Sequence, residues 1–442
     1  PNDIFPCLLF TLYIWVFIPV VLIHKRKNQS LQFLMPACII KKWELRLVNK
    51  KDIANIRKQF KLNNQYLNIK EIFNVYVKKE SNEIYHHICQ PFELLEQEAQ
   101  ELFLDNFKKT LAGQLDTKLF ELKFQHGVEN STRDLLYDGL QMEDTEEWLE
   151  QMLQIVEKMY AHKVYEFDTV VTFIRAEYRK PTRKRDPESE IGGSDEVYFS
   201  PLILCSVNKM DQPKKSLVFD YIERTFKPNT ELDPVINLTA PLTGFLFPAF
   251  NDNAADVNHI LYASGKANEP SYTFISDVLN CEDIMTAEDD KIGFEMILKN
   301  VIGDKVESEV ISNVYEEIDR FVQEKEEEEQ EESEPPMINY QDVERILKVS
   351  GVENVDTVKV EHAFKSVVDD ERHEFKAANL VPKSIKINTK VAKLTLGPKD
   401  LRYVKYIMYQ GKRCLLLEID EDVVVEGLTL ETKNQGHEDG SI

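Results

Sequence analysis

No two of the six cysteines, Cys7, Cys38, Cys89, Cys205, Cys281 and Cys414, stand close enough in the chain to act together. Zinc and dithiol redox sites draw two ligands from one turn, so the missing CxxC pairs argue against both, and the wide spacing offers no disulfide framework. The thiols are expected to be free and mostly buried in a reducing cytoplasm. Glycine and proline are also sparse, with 15 and 18 residues, too few for a fibrous or a disordered chain. The signature strings of catalysis are missing as well: there is no Gly-rich phosphate loop, no GxSxG elbow, no HExxH and no dinucleotide fingerprint. Basic residues are outnumbered, 54 against 77 acidic, for a net charge of −23. That field repels phosphate backbones and anionic lipid at long range, which disfavours nucleic-acid binding unless positive charge is gathered on one face.

What is present can fill real cores. Hydrophobic residues make up 43% of the 442 positions and aromatics 10%. The length exceeds what one core usually organises, so two units are expected. Apolar spacing predicts a helix after Asn49 carrying Ile53, Ile56 and Phe60, and a second from Pro91 to Leu111 that stops at Gly113. A third opens at Asp144 and carries Trp148, Met152, Val156 and Met159. Strands are predicted at 118–124, 170–174, 202–207 and 217–222, and FLFPAF (245–250) reads as an edge or a buried extended segment because of Pro248. Helices return at 270–279, at 286–302 between a Thr286 cap and a Gly303 stop, and through Val310, Val314, Ile318 and Phe321.

The block EKEEEEQEESEPP repels itself and ends in two prolines, the pattern of a solvated linker. The expected fold class is α+β: a large mixed helix/sheet domain over 48–323, the acidic linker at 324–336, and a smaller α+β domain over 337–432. That smaller part has helices near 340–349 and 356–368, then a strand series with a turn at Gln410-Gly411. Residues 433–442 are expected to be a disordered tail.

Two constellations carry chemical potential. In NDNAADVNH, Asp252, Asp256 and His259 stand at spacings of four and three. On a helix they would share a face and hold a divalent ion or arrange acid and base groups. The competing structural reading is an Asx turn at Asn251 and Asp252, with Asp256 capping a short helix. In RAEYRKPTRKR, Arg175, Arg179, Lys180, Arg183, Lys184 and Arg185 gather positive charge in an acidic chain, suited to phosphates, nucleic acid or the acidic linker itself. A solvated loop between two core strands explains the same residues. Asp195 and Glu196 lead into a strand and add carboxylates of unknown proximity. His86 and His87 precede Cys89, but neighbours in a strand or helix point apart, and Cys205 reads as core.

VNKKDIANIRKQF (48–60), SDEVYFSPLILCSVNK (194–209), TGFLFPAFNDNAADVNHILY (243–262) and VVVEG (423–427) resemble the opening and internal signatures of an uncharacterised bacterial family, domain of unknown function 4317. Its members open Met-Asn-Lys-Lys. The resemblance covers about 48–430, implies a shared fold and supplies no activity; relatives are less basic over 175–185. The uncharged run 5–23 followed by HKRK has the length and flank of a signal anchor with a cytoplasmic body. With Pro1 first and Val48 where the family begins, residues 1–47 are expected to be upstream over-translation, and otherwise an inner-membrane anchor. The body is expected to be a cytoplasmic, non-catalytic binding or regulatory protein with a protein partner and no cofactor. The alternatives are nucleoid-associated-like nucleic-acid binding through 175–185 and a metal-dependent hydrolase centred on Asp252, Asp256 and His259.

Overall fold

The computed structural model of the chain describes residues 48–431, apart from 49, 162–164, 181–197, 213–216, 229–232, 252–253, 304, 329–335, 369–372 and 410. The first part runs α1 (Lys50–Arg57), β1 (Leu67–Val77), β2 (Ile84–Pro91), α2 (Gln97–Thr110), β3 (Leu119–Lys123), α3 (Thr132–Gln141), α4 (Thr145–Ala161), β4 (Thr169–Lys180) and β5 (Tyr198–Asp211). Short strands follow: β6 (Leu217–Asp220), β7 (Thr225–Pro228), β8 (Val235–Ile236), β9 (Thr243–Phe247), β10 (Ala249–Asn251), β11 (Ala254–Asp256) and β12 (His259–Ser264).

Eight of these strands build one sheet in the order β2-β1-β4-β5-β9-β12-β3, with β8 joined to the end of β5. Every neighbouring pair is antiparallel. Helices cover both faces, which explains why β5, β9 and β12 read as continuous apolar runs rather than alternating ones. On one face Phe73, Phe173, Cys205, Phe245 and Tyr262 pack under α3 and α4 around Trp148 and Met152. On the other, Ile72, Ile174, Leu204, Leu246 and Leu261 meet Ile53 and Ile56 of α1 and Phe103, Leu104 and Phe107 of α2. A buried polar seam fixes α2 on β5. Asn106 donates to Asn208 Oδ1 at 2.7 Å and to Leu238 O at 2.9 Å, and the Thr110 hydroxyl donates to Ser206 Oγ at 3.1 Å. Here the backbones approach closely: a Cβ on Gly244 of β9 would lie 2.4 Å from Cys205 O and 2.5 Å from Thr110 Cγ2.

The second part is helical, with α5 (Ala287–Ile302), α6 (Ser308–Glu328), α7 (Tyr340–Val349), α8 (Thr357–Val368) and α9 (Ala377–Leu380), plus the pair β13 (Met337–Ile338) and β14 (Phe375–Lys376). Thr286 and Asp289 form the capping box of α5, each side chain accepting the other residue's backbone N–H, and Gly303 ends the helix at φ 103°. Phe294, Ile297, Val314, Ile318, Val343, Leu347, Phe364 and Phe375 form a third core. Three hairpins end the described residues: β15 (Ile385–Asn388) with β16 (Lys393–Leu396), β17 (Val404–Tyr409) with β18 (Lys412–Leu417), and β19 (Val424–Val425) with β20 (Leu428–Thr429).

The fold is α+β, as the sequence predicts. All described residues fall in one compact unit, and helices α5 and α6 share a core with α7, α8 and α9. Several local expectations need correction. Helix α6 runs on to Glu328, so residues 324–328 of the acidic block are helical. Pro91 ends β2, and a 3-10 turn (Phe92–Leu94) precedes α2. The 217–222 run leaves the core as the exposed hairpin β6–β7, where Asp220 Oδ1 accepts the N–H groups of Ile222 and Glu223 at 2.8 and 3.0 Å. Of the two readings of FLFPAF the buried extended segment holds: β9 lies between β5 and β12, with Pro248 in the break before β10. Among the described residues no helix is long and apolar enough to cross a membrane. The run 5–23 and the tail 433–442 lie outside them.

Candidate functional site

The Asp256–His259 segment is a strand, a tight turn and a strand, not a helix. HILYAS pairs with both β3 and β9, and that ladder dictates the period over 259–264. Asp256 Oδ1 accepts the Asn258 N–H at 2.8 Å and so closes the turn. Its other oxygen meets His259 Nδ1 at 2.6 Å. Glu121 of β3 lies beside them, opposite Leu261 in register, and accepts the Val48 N–H at 2.7 Å. Burial pushes the Glu121 carboxyl upward, with the Val48 N–H and His259 opposing. The bond to Asp256 raises His259, and the same bond lowers Asp256. The imidazole is buried, its Nδ1 is held by Asp256, and Glu121 adds a weaker coulombic pull in the same direction. Asp252 lies outside the described residues, so two of the three expected ligands are brought together and the third is not placed. Among the described residues no cluster of three or more His, Cys, Asp or Glu side chains is arranged to hold a metal ion.

The basic run is not one loop. Arg175, Arg179 and Lys180 belong to β4, paired with Ile203, Phe199 and Tyr198 of β5, whereas Arg183, Lys184, Arg185, Asp195 and Glu196 lie outside the described residues. Arg175 turns inward. Its Nη2 donates to Glu71 Oε2 at 2.5 Å and its Nη1 to Met142 O at 2.7 Å, and its guanidinium sits 5.0 Å from the Trp148 ring. Side-chain exposures of 11% for Arg175 and 16% for Glu71 take this cation away from any phosphate. Arg179 lies over Phe199 at 4.9 Å. The Glu71 and Trp148 partnership went unpredicted, since nothing local in the chain marks residues 71 and 175 as neighbours. Cys89 lies near the same ion pair, and burial, reinforced by Glu71, pushes its thiol up to about 11. Burial also raises Cys205 and Cys281, so these three thiols are protonated at neutral pH.

The surface feature that spacing did not reveal is the β17–β18 ribbon. Cross-strand partners Val404↔Leu417, Tyr406↔Leu415 and Met408↔Arg413 set one face. Val404 is buried at the base, while Tyr406 is 70% and Met408 65% exposed, and Leu415 and Leu417 are exposed beside them. Leu416, on the opposite face of the ribbon, and Ile419, Val424, Leu428 and Leu430 are exposed as well. The base is anchored by the Ser308 hydroxyl, which donates to Val404 O at 2.5 Å. The sequence signal was present in YVKYIMY and CLLLEI, but alternation alone does not say whether a second layer covers a strand.

The family model for the domain of unknown function DUF4317 matches residues 48–428. The chain belongs to this family. No curated protein matches it. The DUF4317 match begins at the first described residue, spans all three cores and both polar clusters, and ends at Leu428 of β20. The ribbon is therefore part of the family's domain rather than an appendage to it.

Proposed function

We propose that this DUF4317 chain is a non-catalytic binding protein that engages a protein partner through its C-terminal ribbon. The observation that carries this reading is the uncovered apolar face of Tyr406, Met408, Leu415 and Leu417 on a chain whose net charge is −23. A two-stranded ribbon is marginal alone, and an apolar face of this kind is characteristic of an interaction site. The polar groups with chemical potential support the same reading, because their bonding is structural: Asp256 closes a turn and Arg175 neutralises Glu71 inside the fold.

The test is amine-reactive cross-linking in the source cells followed by peptide mass spectrometry. Lys405 and Lys412 are expected in cross-links between polypeptides, and Tyr406→Asp with Met408→Asp is expected to remove them without lowering the melting temperature. Intermolecular cross-links that avoid the ribbon would overturn the reading.

A further inference from the structure

Resting on that reading, we infer that the partner strand is the same strand of a second copy: β18 pairs edge to edge with β18 about a twofold axis at Leu415. The argument starts from the backbone. The Glu418 N–H donates to Tyr403 O at 2.8 Å, so even-numbered amides here point toward β17. Those of Arg413, Leu415 and Leu417 then point outward. Among the described residues β18 pairs with β17 alone, and it has no proline or bulge to block an approaching strand; its charged residues, Lys412 and Arg413, stand at one end.

The side chains select the register. In an antiparallel pairing centred on Leu415, each Leu415 exchanges both backbone bonds with its copy, and Arg413 does so with Leu417 of the other chain. Lys412 of each copy then stands opposite Glu418 of the other, giving two opposite-charge cross-strand pairs. Shifting the centre by one residue to Cys414 or Leu416 puts Lys412 opposite Leu416 or Asp420, and Glu418 then loses its basic partner. Within its own hairpin Glu418 also holds Lys405, and that contact lies along the same face. The resulting four-stranded sheet doubles the Tyr406, Met408, Leu415 and Leu417 surface into one continuous layer. It also supplies the extra strands a bare ribbon lacks. A heterologous strand meets the backbone equally well but not the symmetric placement of Lys412 and Glu418 around Leu415, which is why the second copy is favoured.

Sedimentation velocity on the purified full chain over a range of concentrations tests this. The wild type is expected to move from one to twice the chain mass. Leu415→Pro removes an N–H that the hairpin itself does not use and is expected to leave a monomer with an unchanged melting temperature. Lys412→Glu is expected to weaken the dimer at least about tenfold, a change of about 1.4 kcal/mol, and adding Glu418→Lys to it is expected to restore association. A wild type that stays monomeric at the highest attainable concentration overturns the second-copy inference. In-cell cross-links from the ribbon to a different protein would then leave the binding reading standing with another occupant. A dimer that survives Leu415→Pro overturns it too, because a different surface must hold the copies together.

Discussion

Replacing Arg175 with methionine separates an internal structural role from a phosphate-binding one. The guanidinium makes two short bonds, 2.5 Å to Glu71 and 2.7 Å to Met142 O. Removing it leaves Glu71, 16% exposed, with the Thr145 hydroxyl at 2.6 Å as its remaining side-chain partner among the described residues. Breaking one side of a buried ion pair costs about 3–5 kcal/mol, most of it the stranded charge. The Thr145 hydroxyl and the residual exposure pull the expectation to the lower end, about 3 kcal/mol. At about 2–4 °C per kcal/mol for a domain of 150–250 residues, and about 1.3 °C for this longer chain, the melting temperature is expected to fall by about 4 °C. Adding Glu71→Gln removes the stranded charge and should recover most of that loss. Thermal unfolding followed by circular dichroism reads both variants. A shift below about 0.5 kcal/mol, the usual size for a surface substitution, would refute the reasoning and return Arg175 to the basic run as an available cation.

Two other perturbations probe the sheet and its polar corner. Gly244→Ala forces a methyl against Cys205 O and Thr110 Cγ2, an overpacking expected to cost about 1–3 kcal/mol; a urea midpoint equal to wild type would show that β9 and α2 separate freely. His259→Gln is expected to change how stability depends on pH. Because His259 is raised in the fold, its contribution is complete below the ordinary imidazole range and fades as pH rises through its folded value. Glu121, raised by burial, slopes in the same direction, while the lowered Asp256 loses its contribution as pH falls. The variant should therefore flatten the decline on the alkaline side by about 1 kcal/mol, a figure discounted for the partial exposure of Asp256. Parallel urea-midpoint profiles for wild type and variant would contradict this.

How much was legible in the chain differs by element. Thr286 and Gly303 announce α5 at both ends because caps are local chemistry, and the observed boundaries fall at Ala287 and Ile302. Leu67–Val77 carries no clean alternation, since Ile72 and Phe73 are both fully buried against opposite helix layers, and β1 and β2 went unpredicted. The spacing of Asp256 and His259 suggested a helix, but the β12 ladder with β3 and β9 decided otherwise, and the two side chains still meet across the turn. Arg175 looked like part of a basic surface because its partner Glu71 stands 104 positions away. Exposure of Tyr406 and Met408 depends on which layers exist above a strand, and strand periodicity carries no term for that.

Residue-resolved hydrogen exchange over Lys412–Leu417 in the assembled protein bears most directly on the role assigned to the ribbon. The hairpin alone protects the amides of Lys412, Cys414 and Leu416. A partner strand on the β18 edge adds protection at Arg413, Leu415 and Leu417, so slow exchange at all six positions is predicted. Fast exchange at the three odd-numbered amides, alternating with slow neighbours under every condition of concentration and cell extract, would mean that the edge stays bare and that neither a second copy nor any other strand pairs with β18.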